Sequence, residues 1–340
     1  MSSDRVIQTA NAPLRRLTGV QIVATGGYVP ENVVRNEDLA ALGCDPEWII
    51  QRTGIRERRH APPEMATSDM AIVAAERAMS QAGVTAGDID LVVLGTFTPD
   101  WPVPATACQV QTKLGINAPA MDVQAACAGF IYALITGMQF VATGCSRLAL
   151  VIGSDTNSRV VDPADKKIYP LFGDGAGAVL LSAGSPEQGM LAYTMGSEGS
   201  GADLLYTPMG GSRMRPCAAG FEARQHYLKM DGRPVFKWAV RLLAQSMREV
   251  LAAARLSLDD IALVVLHQAN VRIIDAAVEE LGVPPEKLLM QIDRYGNTSA
   301  GSIPLLLDEA NRDGRLRRGD HVLVSGFGAG LAWGTGVLRW

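Results

Sequence analysis

Short runs of β-branched and aliphatic residues alternate along the chain with longer segments whose apolar positions recur every three or four residues. This is the punctuation of an α/β protein. Strands are predicted at Gly19 to Thr25 and Leu91 to Thr96, with helices over Ser68 to Ala82 and Ala105 to Leu114. In the Ser68 helix, Thr67, Ser68 and Asp69 offer capping oxygens, Met70, Val73 and Ala74 form an apolar stripe with Arg77 on the other side, and Gly83 supplies a stop. The same order returns later. A helix over Val235 to Ala254 leads to a strand at Leu263 to Leu266, a helix at Val271 to Leu281, a strand at Leu288 to Ile292 and a helix at Ser299 to Arg312. Leu331 to Trp340 reads as a terminal strand.

The recurrence extends to sequence. Ile89-Asp90-Leu91-Val92-Val93-Leu94 returns 172 positions later as Ile261-Ala262-Leu263-Val264-Val265-Leu266, five of six residues identical. At the same offset, Ala126 to Ile131 (Ala-Cys-Ala-Gly-Phe-Ile) matches Thr298 to Ile303 (Thr-Ser-Ala-Gly-Ser-Ile), and Leu148 to Gly153 matches His321 to Gly326 at 173. Two duplicated halves are therefore predicted about a pseudo-two-fold axis, with Cys127 and Ser299 opening equivalent helices. The pattern breaks between Ser182 and Met190, dividing the chain into an extension over 1–16, a first half over 17–185 and a second over 186–340.

Composition narrows the class. At 340 residues and 48% hydrophobic, the chain can bury a large core, and a net charge of −4 offers no basic face for nucleic acid. The longest apolar stretch, Ala125 to Thr143, is too interrupted for a membrane span, and Met1 to Arg16 lacks a signal-peptide core. Five widely spaced cysteines without a Cys-x-x-Cys suit a reducing cytoplasm, and no His/Cys/Asp/Glu cluster has metal-ligand spacing, so neither a disulfide framework nor a metal is expected.

Three residues stand out chemically. Cys127 falls in the first turn of a buried apolar helix, reading either as an inert core cysteine or as a nucleophile whose pKa, about 8.5 in a free thiol, is lowered by the helix terminus. His267 follows the apolar Leu263 strand at its C-terminal edge, where open α/β sheets keep ligands; the plain alternative is a capped loop histidine. Asn297 precedes the second buried helix as a cap, or as an uncharged donor into the cavity of Cys127. The Gly-rich run Gly326 to Gly330 leads into a strand rather than a helix. That disfavours a dinucleotide turn and suits close backbone approach to an oxyanion. Phe172 to Ala178 reads as tight strand packing, and the aperiodic stretch from Gly196 to Ala223 as either a substrate-covering loop or a surface excursion.

With these residues in place the chain resembles the β-ketoacyl-acyl-carrier-protein synthase III family of the thiolase superfamily. The carriers of the likeness are Trp48 to Ile55, Ala126 to Phe130, Gly173 to Ala178, His267 to Asn270, Gly296 to Ala300 and the closing Gly-rich segment. The resemblance implies a five-layer αβαβα sandwich, a cytoplasmic homodimer, no cofactor, and decarboxylative condensation of an acyl-CoA primer with malonyl-acyl-carrier protein to initiate fatty acid synthesis. It assigns Cys127 as nucleophile, the backbone N–H groups of Cys127 and Ala329 as oxyanion hole, and His267 and Asn297 as hydrogen-bond donors to the malonyl thioester. For CoA it implies Trp48 and Arg159 around the adenine, Arg52 near the phosphates, and Gly232, Phe236, Ala269 and Asn270 along the pantetheine. For carrier-protein docking it implies Lys237, Gln268 and Arg272.

Two departures qualify the likeness. Glu279 and Glu280 add negative charge beside the docking patch, and Val103 stands where the family often has a bulky gate to the acyl pocket, so a roomier pocket is expected. The rival on the same scaffold is an acyltransferase or condensing enzyme of secondary metabolism using a CoA-bound or small-molecule acceptor. A papain-type hydrolase would use the same three side chains, but the local sequence of that family around the cysteine is absent. A non-catalytic binding protein is the third alternative.

Overall fold

The computed structural model describes residues 12–340. In chain order the first half comprises strands β1 (Arg15–Thr18) and β2 (Val20–Tyr28), then a hairpin of β3 (Val33–Arg35) and β4 (Glu57–Arg59) enclosing helix α1 (Pro46–Thr53). Helix α2 (Thr67–Ala82), β5 (Leu91–Gly95), α3 (Thr106–Leu114), β6 (Ala120–Val123), α4 (Gly129–Ala142), β7 (Leu148–Asp155) and β8 (Gly175–Ala183) complete it. The second half runs through β9 (Gly189–Ser197), β10 (Leu205–Tyr206), α5 (Ala218–Glu222), β11 (Lys229–Met230) and α6 (Gly232–Ala254). It continues through β12 (Leu263–Leu266), α7 (Val271–Leu281), α8 (Ile292–Tyr295), α9 (Ser302–Arg312), β13 (His321–Gly328) and β14 (Ala332–Arg339).

Two five-stranded sheets form the frame, ordered β2-β8-β7-β5-β6 and β1-β9-β14-β13-β12. Setting β1 aside, β9, β14, β13 and β12 repeat β2, β8, β7 and β5, with the last two of each set pairing in parallel. The fifth position of the repeat, occupied by β6 in one sheet, is reduced in the other to a single bridge between Val264 and Leu288. A strand was expected there, over Leu288 to Ile292. It does not extend because the N–H groups of Gln291 and Ile292 bond to the Gln268 side chain and Ile292 opens α8. The extension expected over 1–16 falls in part on residues 1–11, outside those described; Arg15 already belongs to β1, which pairs with β9 of the second half.

Burial explains the layering. Phe130, Ile131, Leu134 and Met138 of α4 are fully buried with Leu306 and Leu307 of α9 between the two sheets, each worth about 1.5–3 kcal/mol of transfer free energy. A second cluster joins one outer sheet face to α2 and α3, and a third joins the other to α6 and α7. Three apolar seams make five layers, αβαβα, as the resemblance implied. Helix α2 is capped one residue earlier than expected: Ala66 is the cap, and its N–H bonds to the Asp69 carboxylate at 2.8 Å. No helix of the described residues is long and apolar enough to cross a membrane.

Candidate active site

Cys127, His267 and Asn297 line one cavity of about 310 Å³. Three separate elements deliver them. Cys127 lies in a single turn, Ala126–Ala128, that feeds α4; the turn is entered through Ala126 at φ 47°. His267 leaves the C-terminal end of β12, as the sequence pattern suggested. Asn297 sits in an extended connection whose backbone is clamped between Leu171 O and Gly173 N, at 2.8 and 3.1 Å.

The thiol departs from expectation. Burial pushes Cys127 up to about 12, helped by the Asp155 charge and opposed by a 3.3 Å hydrogen bond from Ser299 Oγ to Sγ. The helix terminus is present, but desolvation outweighs it, and the resting group at neutral pH is a thiol. Burial also pushes His267 down to about 3, so the imidazole is neutral. Its Nδ1 lies 2.8 Å from Ser302 Oγ, and Phe327 meets the ring edge-on with centroids 5.5 Å apart. Asn297 Oδ1 accepts the Ser299 N–H at 2.8 Å, which leaves the amide NH2 as the free, donating end.

Gly328 shows what the Gly-rich turn is for. A Cβ on it would lie 2.6 Å from the Cys127 backbone nitrogen, so only glycine lets β13 pass this close to the turn. Ala329, the expected second oxyanion donor, follows directly and is half-buried. The pseudo-symmetry also corrects the pairing of the two helices. Gly328 corresponds to Asp155, the ends of β13 and β7, and Asp155 Oδ2 accepts the N–H of Ala300 at 3.1 Å. Cys127 is therefore the counterpart of Ala300, not of Ser299, and its N–H has no carboxylate against it.

The cavity extends to a mouth formed by Trp48, Arg52, Lys166, Lys167 and Arg272. Trp48 is 43% exposed, and the Arg52 guanidinium stands 5.8 Å from its ring centroid. Gly232, Phe236, Ala269 and Asn270 line the passage between mouth and thiol. Asn270 in addition caps α7, accepting the Arg272 N–H at 2.9 Å. Of the stretch from Gly196 to Ala223 only Leu205 lines the cavity, with Met230 beyond it; the residue that follows the stretch, Arg224, is anchored to Asp162, with Nε donating at 2.6 Å.

Two assignments need correcting. Arg159 is not across from Trp48. It donates to the Pro62 and Met65 carbonyls at 2.6 and 3.3 Å and lines a different cavity, while the mouth takes Lys166 and Lys167 from beyond the turn at Asp162, beside Arg52 and Arg272. Gln268 is no docking residue, being 2% exposed with Nε2 bonded to Leu266 O and Oε1 to the N–H groups of Gln291 and Ile292. Lys237 is exposed but does not line the cavity, and Glu280 is paired with Arg248 at 2.9 Å. Val103 is 80% exposed and does not reach this chain's own cavity. Among the described residues, no group of three or more His, Cys, Asp or Glu is placed to hold a metal ion. Sequence reasoning gave no chemical role to Ser299, Ser302 or Asp155, although the two serines lie within the duplicated segment Thr298 to Ile303 and Asp155 lies just past Leu148 to Gly153.

The description 3-oxoacyl-[acyl-carrier-protein] synthase III matches residues 121–199, and its C-terminal counterpart matches residues 251–340. A β-ketoacyl-[acyl-carrier-protein] synthase III of Rhodopirellula baltica is 56% identical over 342 residues, covering 95% of this chain and 99% of its own. One from Symbiobacterium thermophilum is 49% identical over 327 residues, covering 96% and 99%. The crystal structure of 3-oxoacyl-[acyl-carrier-protein] synthase III from Aquifex aeolicus superposes with a TM-score of 0.86 at 42% identity, covering 95% of this chain and all of that one. This chain belongs to the β-ketoacyl-[acyl-carrier-protein] synthase III family, the condensing acyltransferases that initiate fatty acid synthesis.

Proposed function

We propose that the chain joins an acyl-CoA primer to malonyl-acyl-carrier protein through an acyl-Cys127 intermediate. The observation that carries this reading is the convergence of Cys127, His267 and Asn297 on one cavity from three elements. In the first half-reaction Cys127 Sγ bonds to the thioester carbon, the C–S bond to CoA breaks, and CoA departs as a thiol with the proton the cysteine gives up. The N–H groups of Cys127 and Ala329 hold the tetrahedral oxyanion. In the second, loss of CO2 from the malonyl group sends an electron pair into its thioester, with the enolate oxygen bonded by His267 and Asn297. The enolate carbon bonds to the acyl carbon, the C–S bond to Cys127 breaks, and the released thiolate takes a proton from solvent. Two neutral donors suit this step, since departure of CO2 makes the carbanion without a strong base.

In this reading Trp48 stacks on the adenine of CoA, with Lys166, Lys167 and Arg52 near its phosphates and Gly232, Phe236, Ala269 and Asn270 along the pantetheine, supported by their all lining the one cavity. Arg272 and Lys237 form the basic side offered to an acidic carrier protein. Exposed Trp101 and Val103 belong to a homodimer interface, and the small Val103 leaves room for longer or branched primers. Incubation with radiolabelled acyl-CoA should label the Cys127 peptide, and malonyl-carrier protein should then release CO2 and take the label. Label elsewhere overturns the nucleophile; release of CO2 from malonyl-CoA but not from the carrier thioester favours the small-acceptor alternative. Acetyl-CoA outperforming isobutyryl- and hexanoyl-CoA counts against the roomy pocket.

A further inference from the structure

Behind the thiol the two duplicated turns meet across the pseudo-two-fold axis. Ala126–Ala128 feeds α4 and Ser299–Gly301 feeds α9, and each opens on a residue in the left-handed region, Ala126 at φ 47° and Ser299 at φ 51°. Ala126 and Ser299 are therefore counterparts, as are Cys127 and Ala300. Of the two pairs that cross the axis, only one is polar. Ser299 Oγ meets Cys127 Sγ at 3.3 Å, whereas Ala126 and Ala300 have no polar side-chain atom to exchange. Ser299 is fully buried, so its hydroxyl looks to protein groups for its partners.

That hydroxyl has one proton and two acceptors within reach, Cys127 Sγ and the Asp155 carboxylate, whose pKa the same hydroxyl holds down. Their claims change with the charge on sulfur. A neutral thiol is a weak acceptor and can return the contact by pointing its own S–H at Oγ, which leaves the hydroxyl proton to the carboxylate. A thiolate has no proton to return and is a charged acceptor, so it draws the hydroxyl proton by rotation about the Cβ–Oγ bond alone. Asp155 can release it. Its Oδ1 keeps Thr96 Oγ1, Phe97 N, Thr98 N and Thr98 Oγ1, and its Oδ2 keeps the Ala300 N–H. The sulfur's other donor is the N–H of Cys127 itself. In the proposed reaction that N–H turns to the oxyanion of the tetrahedral intermediate, so the Ser299 hydroxyl is the donor left to the sulfur as its bond to carbon breaks.

We propose that Ser299 is a further catalytic residue, its hydroxyl turning onto Cys127 Sγ whenever the sulfur carries charge, as it attacks the primer and as it leaves the β-ketoacyl product. No proton is transferred. The hydrogen bond stabilises the anion and returns to Asp155 once the sulfur is acylated or protonated. Its part in the two half-reactions rests on the proposed acyl-Cys127 chemistry, whereas its bond to the sulfur does not.

Ser299→Ala is a substitution the fold already holds, since Ala126 adopts the same backbone conformation in the other half. In the full chain, alkylation of Cys127 by iodoacetamide at pH 8, read by mass spectrometry, should slow about tenfold in this variant. That is the scale of losing a hydrogen bond to an anion, less the gain in nucleophilicity of a more basic thiolate. Ser299→Gly, free of strain at φ 51°, should slow it equally. Single-turnover transfer of the acyl group from acyl-CoA to Cys127 should slow by a similar factor. Release of CO2 from malonyl-carrier protein by the acylated variants should stay within about threefold of wild type, because it draws on His267 and Asn297 and not on the sulfur. This last rate separates a bond to sulfur from a disturbed turn: the Ser299 N–H donates to Asn297 Oδ1 at 2.8 Å, so a shifted backbone would slow decarboxylation as well. Unchanged or faster alkylation in either folded variant overturns the proposal, and so does equal slowing of CO2 release. Slower alkylation in the variants with no acyl transfer to wild-type Cys127 would instead strike the proposed reaction and leave the sulfur contact standing, because alkylation is read without turnover.

Discussion

At Cys127 two familiar effects oppose one another, and their sizes decide the outcome. A helix terminus stabilises a nearby anion by about 0.3–1 kcal/mol, rising to about 2 in favourable geometry, which is at most about 1.5 pKa units. Full burial moves a group by up to about 3–5 units the other way. The thiol accordingly stands at about 12. Alkylation of the Cys127 peptide by iodoacetamide, followed by mass spectrometry, should accelerate with every pH step from 6 to 9 without levelling. A plateau near pH 7 would contradict a buried, protonated thiol. For His267 the sign is equally definite: with its pKa near 3, the ring does not titrate between pH 5 and 9, and kcat/KM should lack an inflection near 6.5. Gly328 offers a steric counterpart. Gly328→Ala would drive a methyl group into the Cys127 amide, so kcat should fall by about 100-fold as the oxyanion contact is lost, with the circular dichroism spectrum retained.

The elements were legible where a pattern is local. β12 and α7 begin and end where the sequence periodicity placed them, because Leu263 to Leu266 is wholly apolar and Gly282 in the left-handed region closes α7. The strand at Leu288 was misread because the backbone donors following it are taken by a distant side chain, Gln268, which local patterning does not register. Arg159, expected at the adenine, misses the cavity mouth for a related reason: a turn at Asp162 sends it to one cavity and Lys166 to another. Gln268 tests the element-scale reading. Gln268→Ala removes an acceptor from two buried N–H groups and should lower stability by roughly 2 kcal/mol, seen as a lower urea midpoint at unchanged m. Affinity for the carrier protein should remain that of the wild type; a weakened carrier with intact stability would return Gln268 to the docking surface.

Across the whole molecule, the duplication builds the same niche twice and completes it for catalysis once. At the end of β7, Asp155 Oδ1 accepts Thr96 Oγ1, Phe97 N, Thr98 N and Thr98 Oγ1 at 2.9–3.2 Å, and Oδ2 accepts Ala300 N. At the end of β13, Gly328 stands in the same place and sets no carboxylate against the Cys127 amide. Cys127 and its counterpart Ala300 therefore differ in what their N–H groups face as much as in their side chains, a distinction visible only once the two sheets are superposed. The carboxylate of the filled niche still acts on the open one, since burial raises Asp155 while its charge works against ionisation of Cys127. Asp155→Asn keeps the shape and removes the charge, so two measurements should move in opposite directions. Stability should drop by roughly 2–3 kcal/mol as charge-assisted bonds become ordinary or mismatched ones. Alkylation of Cys127 at pH 8 should speed up as the thiol becomes more acidic. Slower alkylation in a stably folded Asp155→Asn protein would mean that the two niches are electrostatically independent, and that the duplicate half supports the site by packing alone.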